Sequence, residues 1–197
     1  MCSQRIDPAS TAEFLAEAIA CAERSGDRYF SATLQNNAGV VALEAGDVPA
    51  ALSHLEQAIQ ARLAIGSMIQ HVSSNLGWVL REQGDGEGAR SKFDEALRLS
   101  RRSGDRSGTA YATLGLACLA ADRDDWHRGA LLHGTAQAFL DGTGEPWQRL
   151  EAHYREVSLD TLRARLTDEE FQRAYAKGKR LSVEEAFDLA LGRLRSS

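Results

Sequence analysis

Proline and β-branched residues are scarce in this sequence, and it has no long apolar run. Proline occurs only at Pro8, Pro49 and Pro146 in 197 residues, so long helices are permitted almost everywhere. β-branched residues are sparse while alanine is abundant, a balance that favours helices over strands. No stretch approaches the roughly 18 apolar residues that would span a bilayer, and residues 1–5 lack the apolar run of a signal peptide. The sequence therefore predicts an all-α protein with no membrane partner.

Positive charge and cysteine are also limited. Lysine and arginine total 23 against 28 acidic residues, which gives a formal net charge of −5. Such a chain is poorly suited to hold phosphate backbones, so we expect no direct nucleic-acid partner. Cys2, Cys21 and Cys118 are odd in number and far apart, which suits a reduced compartment better than a disulfide framework. We therefore expect a cytoplasmic protein.

The sequence contains an internal repeat. The segment from Asn37, NAGVVALEAGDVPAALSHLEQAI, aligns without gaps with NLGWVLREQGDGEGARSKFDEAL from Asn75, about 38 residues later. A third copy begins near Thr113 and has Asp122-Arg123 where the others have Gly-Asp. Because glycine within a helix costs about 1 kcal/mol relative to alanine, its recurrence predicts close approach of a neighbouring helix. The recurring glycines are Gly39, Gly77 and Gly115.

The mid-helix glycine, the Gly-Asp turn and two alanines seven residues apart resemble tetratricopeptide repeats over about residues 10–141. This resemblance implies an all-α, right-handed superhelix of stacked helical pairs with a concave groove. The predicted organisation is an N-terminal tail at 1–9, repeats at 10–141 and a helical C-terminal cap at 142–197. Within the repeats we expect an orphan helix at 10–25 and units at about 28–65, 67–103 and 106–140.

Capping motifs predict the helices outside the repeated units. Capping boxes start at Ser10, Thr167 and Ser182. Pro146 suits the first turn of another helix, and apolar spacing predicts its inward positions. These positions are Leu150, Tyr154, Val157 and Leu162. We interpret the C-terminal helices as a cap on the open end of the solenoid.

Two C-terminal strings carry a second resemblance. DWHRGALLHGTAQAFLDGTGEPW from Asp125 and FQRAYAKGKRLSVEEAFDLAL from Phe171 are similar to the end of the helical arm in LuxR-type bacterial signal-transduction ATPase regulators related to the maltose regulator. The resemblance implies a sensor or interaction arm. The sequence lacks that family's GxxxxGK[ST] phosphate loop and its DNA-binding domain. We therefore expect either a part of a larger regulator or a free-standing adaptor.

The concave groove should carry side chains from the inner helix of each unit. Asn37 and Asn75 occupy the same repeat position, where an amide can pair with the backbone of an extended peptide or with a neighbouring helix. Trp78 is the best single candidate for a partner contact, and packing between helices is its alternative role. The candidate groove residues are Asn36, Asn37, Val40, His71, Ser74, Asn75, Trp78, Arg81 and Leu116.

The sequence has no motif for catalysis, metal binding or a cofactor. The histidines lack HxxxH spacing, the cysteines lack CxxC spacing, and no GxSxG elbow occurs. We therefore predict a non-enzymatic module that binds a protein or peptide in bacterial signalling or transcriptional control. A small-molecule effector-sensing arm is one alternative. The other is a structural self-association module, a homodimer formed through an uncovered face of the first helix that includes Phe14, Ala18 and Cys21.

Overall fold

A computed structural model describes residues 8–193, and over that range it contains α-helices and no strand. The helices are α1 (Pro8–Ser25), α2 (Arg28–Glu44), α3 (Val48–Ala64), α4 (Gln70–Glu82), α5 (Gly86–Ser103), α6 (Arg106–Asp122), α7 (Trp126–Asp141), α8 (Arg149–Arg165), α9 (Asp168–Lys179) and α10 (Val183–Ala190). Three antiparallel pairs form the repeat units: α2 with α3, α4 with α5, and α6 with α7. The predicted all-α solenoid is confirmed.

Each turn inside a repeat unit combines a left-handed residue with an aspartate that caps the next helix. Gly46 and Gly84 both have φ near 78°, a conformation that glycine adopts without steric penalty. The third turn places Asp124 in this position with φ of 61°, so this residue, and not Asp122, replaces the glycine. Five aspartates accept a hydrogen bond from the backbone amide three residues later: Asp27, Asp47, Asp85, Asp105 and Asp125.

The repeated glycines lie where large side chains pack against the inner helices. A Cβ atom added to Gly39 would lie 2.7 Å from Leu55 Cγ, and one added to Gly77 would lie 2.7 Å from Phe93 Cε1. Gly115 on α6 is closer still to the same phenylalanine ring. Phe93 thus fills the space between α4 and α6. The close approach at these glycines is made mainly by side chains of the outer helices α3 and α5. The paired alanines of the outer helices are fully buried: Ala51, Ala58, Ala89 and Ala96.

Helix α1 packs against one side of the first repeat unit. It begins at Pro8, so Ser10 lies inside its first turn rather than at the predicted cap position. Four buried side chains join α1 to α2: Ile19, Ala22, Leu34 and Ala38. Phe14 is 71% exposed and Cys21 is exposed as well, whereas Ala18 packs against this small cluster. Two of the three residues predicted to be uncovered on α1 are therefore open to solvent.

Helix α8 packs against α6 and α7 and reaches α4 through Tyr154. It begins at Arg149 with Gln148 as the N-cap residue, so Pro146 precedes the helix instead of opening it. Val157 was predicted to face inward but is 50% exposed. The buried face of α8 consists of Leu150, Glu151, Tyr154, Ser158, Leu159 and Leu162. This helix therefore lies along the inner helices of the solenoid.

The last two helices pack against α7. The capping boxes predicted at Thr167 and Ser182 are both present, and each has its glutamate side chain bonded back to the cap amide. Phe187 of α10 meets Phe139 of α7 edge to face, with ring centroids 5.9 Å apart. Helix α9 lies closest to α7: a Cβ atom on Gly134 would overlap the Tyr175 carbonyl oxygen. Two helix backbones are therefore in direct contact at this position.

We expect Gly134→Ala to lower the free energy of unfolding by about 2–3 kcal/mol, because the added methyl group must push α7 and α9 apart. Gly86→Ala is the matched control, since a Cβ atom there would meet only the Arg123 guanidinium at 3.8 Å. That control should be neutral or slightly stabilising. Urea unfolding followed by circular dichroism measures both variants. Equal stability of the two would contradict the backbone contact.

A buried histidine joins α7 to α8. His133 is almost completely buried, and its Nε2 atom lies 2.8 Å from Ser158 Oγ. Burial, aided by the positive charges of Arg155 and Arg163, lowers the pKa of His133 from 6.5 to about 3. The unfolded chain therefore takes up this proton at a higher pH than the folded chain. The contribution of His133 to stability is complete above about pH 6.5 and is lost progressively as the pH falls toward 3.

We expect the stability advantage of the wild-type protein over His133→Gln to shrink by about 1 kcal/mol per pH unit between about pH 6 and pH 4. Denaturant unfolding at several pH values measures this difference, in which the groups shared by both proteins cancel. The exposed His127 on the same helix provides the control substitution. If the difference stays constant with pH, His133 is not neutral and buried as the structure indicates.

Candidate partner-binding cleft

Trp78 lies at the centre of the molecule and not at a partner-facing surface. Its indole is fully buried and stacks on the Tyr154 ring of α8, with centroids 4.3 Å apart and an interplanar angle of 11°. Phe93 also meets the indole, edge to face, with ring centroids 4.9 Å apart. Because α8 covers this part of the groove, Trp78 has the packing role that was its alternative in the sequence analysis.

Two more of the predicted groove residues are engaged within the protein. Arg81 forms two hydrogen bonds to the Asp122 carboxylate, at 2.7 and 2.8 Å, and its guanidinium lies over the Tyr154 ring. Leu116 is a buried core residue, and it borders a different cavity together with Arg90. The prediction that these side chains line the partner-binding groove is therefore not matched by their positions.

The other six predicted groove residues line one open cleft of about 420 Å³. They come from α2 and α4, and they are Asn36, Asn37, Val40, His71, Ser74 and Asn75. The opposite wall comes from Tyr111 of α6 and from the start of α8, where Gln148, Arg149, Leu150 and Glu151 contribute. We call this the asparagine cleft. It is a part of the groove that α8 borders without filling.

A chain of side-chain amides connects α2 to α4 within the asparagine cleft. Asn75 Nδ2 donates to Asn36 Oδ1 at 2.9 Å, and Asn36 Nδ2 lies 3.5 Å from Asn37 Oδ1. These amides pair with one another and not with a helix backbone, and Asn37 is exposed at the open end. Ser74 is buried beside them, and its hydroxyl oxygen has no hydrogen-bond partner among the described residues. The wall therefore presents polar groups to a ligand.

The facing wall of the asparagine cleft is acidic. Glu151 is only 5% exposed, and its carboxylate forms no ion pair with a basic residue in the described part of the chain. Burial, with a further contribution from the nearby Glu44 carboxylate, raises the pKa of Glu151 from 4.5 to about 7. Burial and the Glu151 charge in turn raise the pKa of Tyr111 to about 12. A buried acidic group without a counter-charge therefore lies in this wall.

One ion pair crosses the groove between α2 and α8. Arg149 Nε lies 3.5 Å from Glu44 Oε2, and the arginine side chain is 76% exposed. Beyond this pair, a second cleft of about 370 Å³ shares Glu44 and Arg149 with the first and adds Glu82, Leu43 and Val48, among others. The two clefts adjoin each other at these shared residues.

Sequence reasoning missed the acidic half of this cleft. Glu44, Tyr111 and Glu151 were not among the predicted residues, because their convergence depends on where α8 packs. One signal was present: Glu151 is next to Leu150 and one turn before Tyr154, so a carboxylate shares a helix face with apolar residues.

No group of three histidine, cysteine or acidic residues that could hold a metal occurs among residues 8–193. Within the same residues, no helix has the length and apolar character that crossing a membrane requires.

We expect Glu151→Gln to increase the free energy of unfolding by about 2–3 kcal/mol near pH 8 and to leave it unchanged near pH 4. The direction of this change follows from the raised pKa of Glu151. Protonated Glu151 contributes stability below pH 4.5, and this contribution is lost as the pH rises through about 7, whereas glutamine stays neutral. Thermal or urea unfolding at both pH values measures this effect. The groups facing Glu151 in the cleft are common to both proteins: Glu44, His71, Tyr111 and Arg149.

Glu156→Gln is the matched control, because Glu156 is an exposed residue of the same helix. It should change stability by less than about 0.5 kcal/mol at either pH. A loss of stability in Glu151→Gln near pH 8 would mean that the native carboxylate has a stabilising partner.

Comparison with known proteins bears on the central repeat unit. A family model described as tetratricopeptide repeat matches residues 72–103, which cover nearly all of α4 and α5. No curated protein and no solved structure is significantly similar to the chain. The match includes Gly77, the Gly84-Asp85 turn and the buried Ala89 and Ala96. The chain therefore contains a tetratricopeptide repeat and folds as an all-α solenoid of that type.

Proposed function

We propose that this chain is a non-enzymatic interaction module whose asparagine cleft binds an extended segment of a partner protein. Tetratricopeptide repeats are in general protein-interaction modules, and repeat solenoids bind partners along their concave surface. One observation carries the proposal: six residues predicted from the repeat register converge on an open polar cleft, while α8 covers Trp78 beside it.

The cleft has the features that recognition of a peptide backbone requires. Its amide chain offers both donors and acceptors, and the exposed Asn37 stands at its open end. Val40 and Leu150 add apolar area to the same walls. The adjoining cleft continues past the Glu44–Arg149 pair, so a segment of several residues can contact both. Backbone hydrogen bonds would fix the direction of the peptide, and apolar burial would contribute affinity.

The cellular role we propose is the sensor or interaction arm of a bacterial signalling or transcriptional regulator. The support is the similarity of the strings from Asp125 and Phe171 to the arm of LuxR-type ATPase regulators. These strings form α7, α9 and α10, which pack together at one end of the solenoid. In this role the chain binds a protein segment in the cytoplasm and does not itself contact nucleic acid.

Two other functions each have one supporting observation. The volume of the asparagine cleft, about 420 Å³, falls in the range of small-molecule sites, which supports effector sensing. The exposed Phe14 on α1 supports self-association through that helix. Light scattering at high protein concentration tests the second, because a strict monomer would contradict it.

The peptide-binding proposal is tested by selection from a phage library of random peptides of about 12 residues. Enriched peptides are synthesised with a fluorescent label, and their dissociation constants are measured by anisotropy. We expect Asn37→Ala to weaken binding about tenfold, because it removes an exposed amide that pairs with the peptide backbone. Gln60→Ala, which removes an exposed amide on the outer helix α3, is the control and should bind like the wild type.

If selection yields no peptide, or if every selected peptide binds Asn37→Ala as tightly as the wild type, the asparagine cleft is not the peptide site. Both proteins should unfold at the same urea concentration, so that a difference in affinity reports on the surface and not on folding.

A further inference from the structure

Among residues 8–193, the asparagine cleft is lined by more carboxyl groups than basic side chains of lysine or arginine. The Glu44 and Glu151 carboxylates both line it. Glu82 lies in the adjoining cleft and is already paired, because Arg81 Nη1 is 3.7 Å from its carboxylate. The only arginine or lysine lining either cleft, among the described residues, is Arg149. Its side chain is 76% exposed and pairs with Glu44, which leaves Glu151 without a counter-charge. The electrostatic complement of this surface is a positively charged group.

Glu151 is placed to receive that group. It is one of the most buried acidic residues of the described chain, and it belongs to the face of α8 that packs against the inner helices. An ionised carboxylate in such surroundings is unfavourable unless a partner charge or hydrogen-bond donors reach it. Within residues 8–193 no basic side chain forms an ion pair with Glu151, while the cleft that it lines is open.

An organic cation fits this site better than a metal ion. Only two carboxylates reach the cleft, and no cluster of three candidate metal ligands occurs in the described part of the chain. Neutral amides line the other wall, and the Tyr111 ring lies on the same wall as Glu151. Ammonium and guanidinium groups use all of these partners, since they donate several hydrogen bonds and lie favourably beside aromatic rings.

We propose that the asparagine cleft binds the side chain of a lysine or arginine in the partner segment, with the Glu151 carboxylate as its main acceptor and Glu44 as the second. This inference rests on the proposed function and names the chemistry of the partner at the same site. The chain's own Arg149 already pairs with Glu44 through its guanidinium, and a partner cation would bind deeper in the cleft.

The probes are the peptides selected from the random library and a second set with norleucine in place of each lysine or arginine. We expect lysine or arginine to be enriched at one position, and norleucine there to weaken binding about tenfold. Glu151→Gln should weaken the charged peptide by a similar factor and leave the norleucine peptide unchanged. The Glu156→Gln control, on the exposed face of the same helix, should bind both peptides like the wild type.

Arg149→Gln gives the sharpest test, because it changes affinity in the opposite direction. Removing this arginine frees Glu44 and deletes a positive charge at the cleft, so the charged peptide should bind about threefold more tightly. A purely structural contribution of Arg149 would not produce tighter binding. Weaker binding in Arg149→Gln would show that the cleft binds an anionic group through this arginine, and it would overturn the inference.

The remaining outcomes separate this inference from the proposed function. Peptides that depend on Asn37 but tolerate norleucine within twofold would overturn the cationic contact and leave peptide binding intact. If no selected peptide depends on Asn37, both proposals are overturned. Free n-butylamine or methylguanidine that binds as tightly as the peptide would assign the site to a small amine, which also contradicts a peptide side chain as the ligand.

Discussion

The stacking of Tyr154 on Trp78, with ring centroids 4.3 Å apart, is the contact on which the open surface of this protein depends. It joins α8 to the inner helix of the second unit, where Phe93 also packs against the indole. Arg81, held by Asp122, lies over the tyrosine ring. Because the three aromatic rings are buried against one another, α8 covers this part of the groove, and the asparagine cleft beside α2 remains open.

The contact between Tyr154 and Trp78 also positions one wall of the asparagine cleft. Leu150 and Glu151 lie one turn before Tyr154 on α8, so the packing of the tyrosine brings both to the wall that faces α2 and α4. The repeats thus supply the amides, and the C-terminal helix supplies the acidic group. The helix predicted to be a cap is therefore also half of the candidate site, and the repeats without α8 would form a different surface.

Much of the fold could be predicted because the residues that make the contacts between helices recur in register in each repeat. Gly39, Gly77 and Gly115 recur in register, and each lies beside a large side chain. The position of α8 had no such support, since no repeat fixes the direction of the chain after α7. A tryptophan among polar residues looks the same in sequence whether it is exposed or covered by a distant helix. The sequence therefore leaves both roles of Trp78 open, and the structure shows the packing role. The sequence places Glu151 on the apolar face of α8, but only the structure shows which part of the groove that face meets.

Glu151 and His133 show why the charge in the cleft points to function and not to folding. Both are buried at contacts made by α8, but His133 is neutral and lies beside Ser158, whereas Glu151 has no counter-charge within the described chain. A neutral side chain at Glu151 would stabilise the fold, and residues that reduce stability are typical of binding sites. In the proposed complex the partner's cation supplies the missing charge. Because Glu151 and Tyr154 share one helix, that cation would also stabilise the packing of α8 against the repeats. The packed position of α8 would in turn favour binding of the partner.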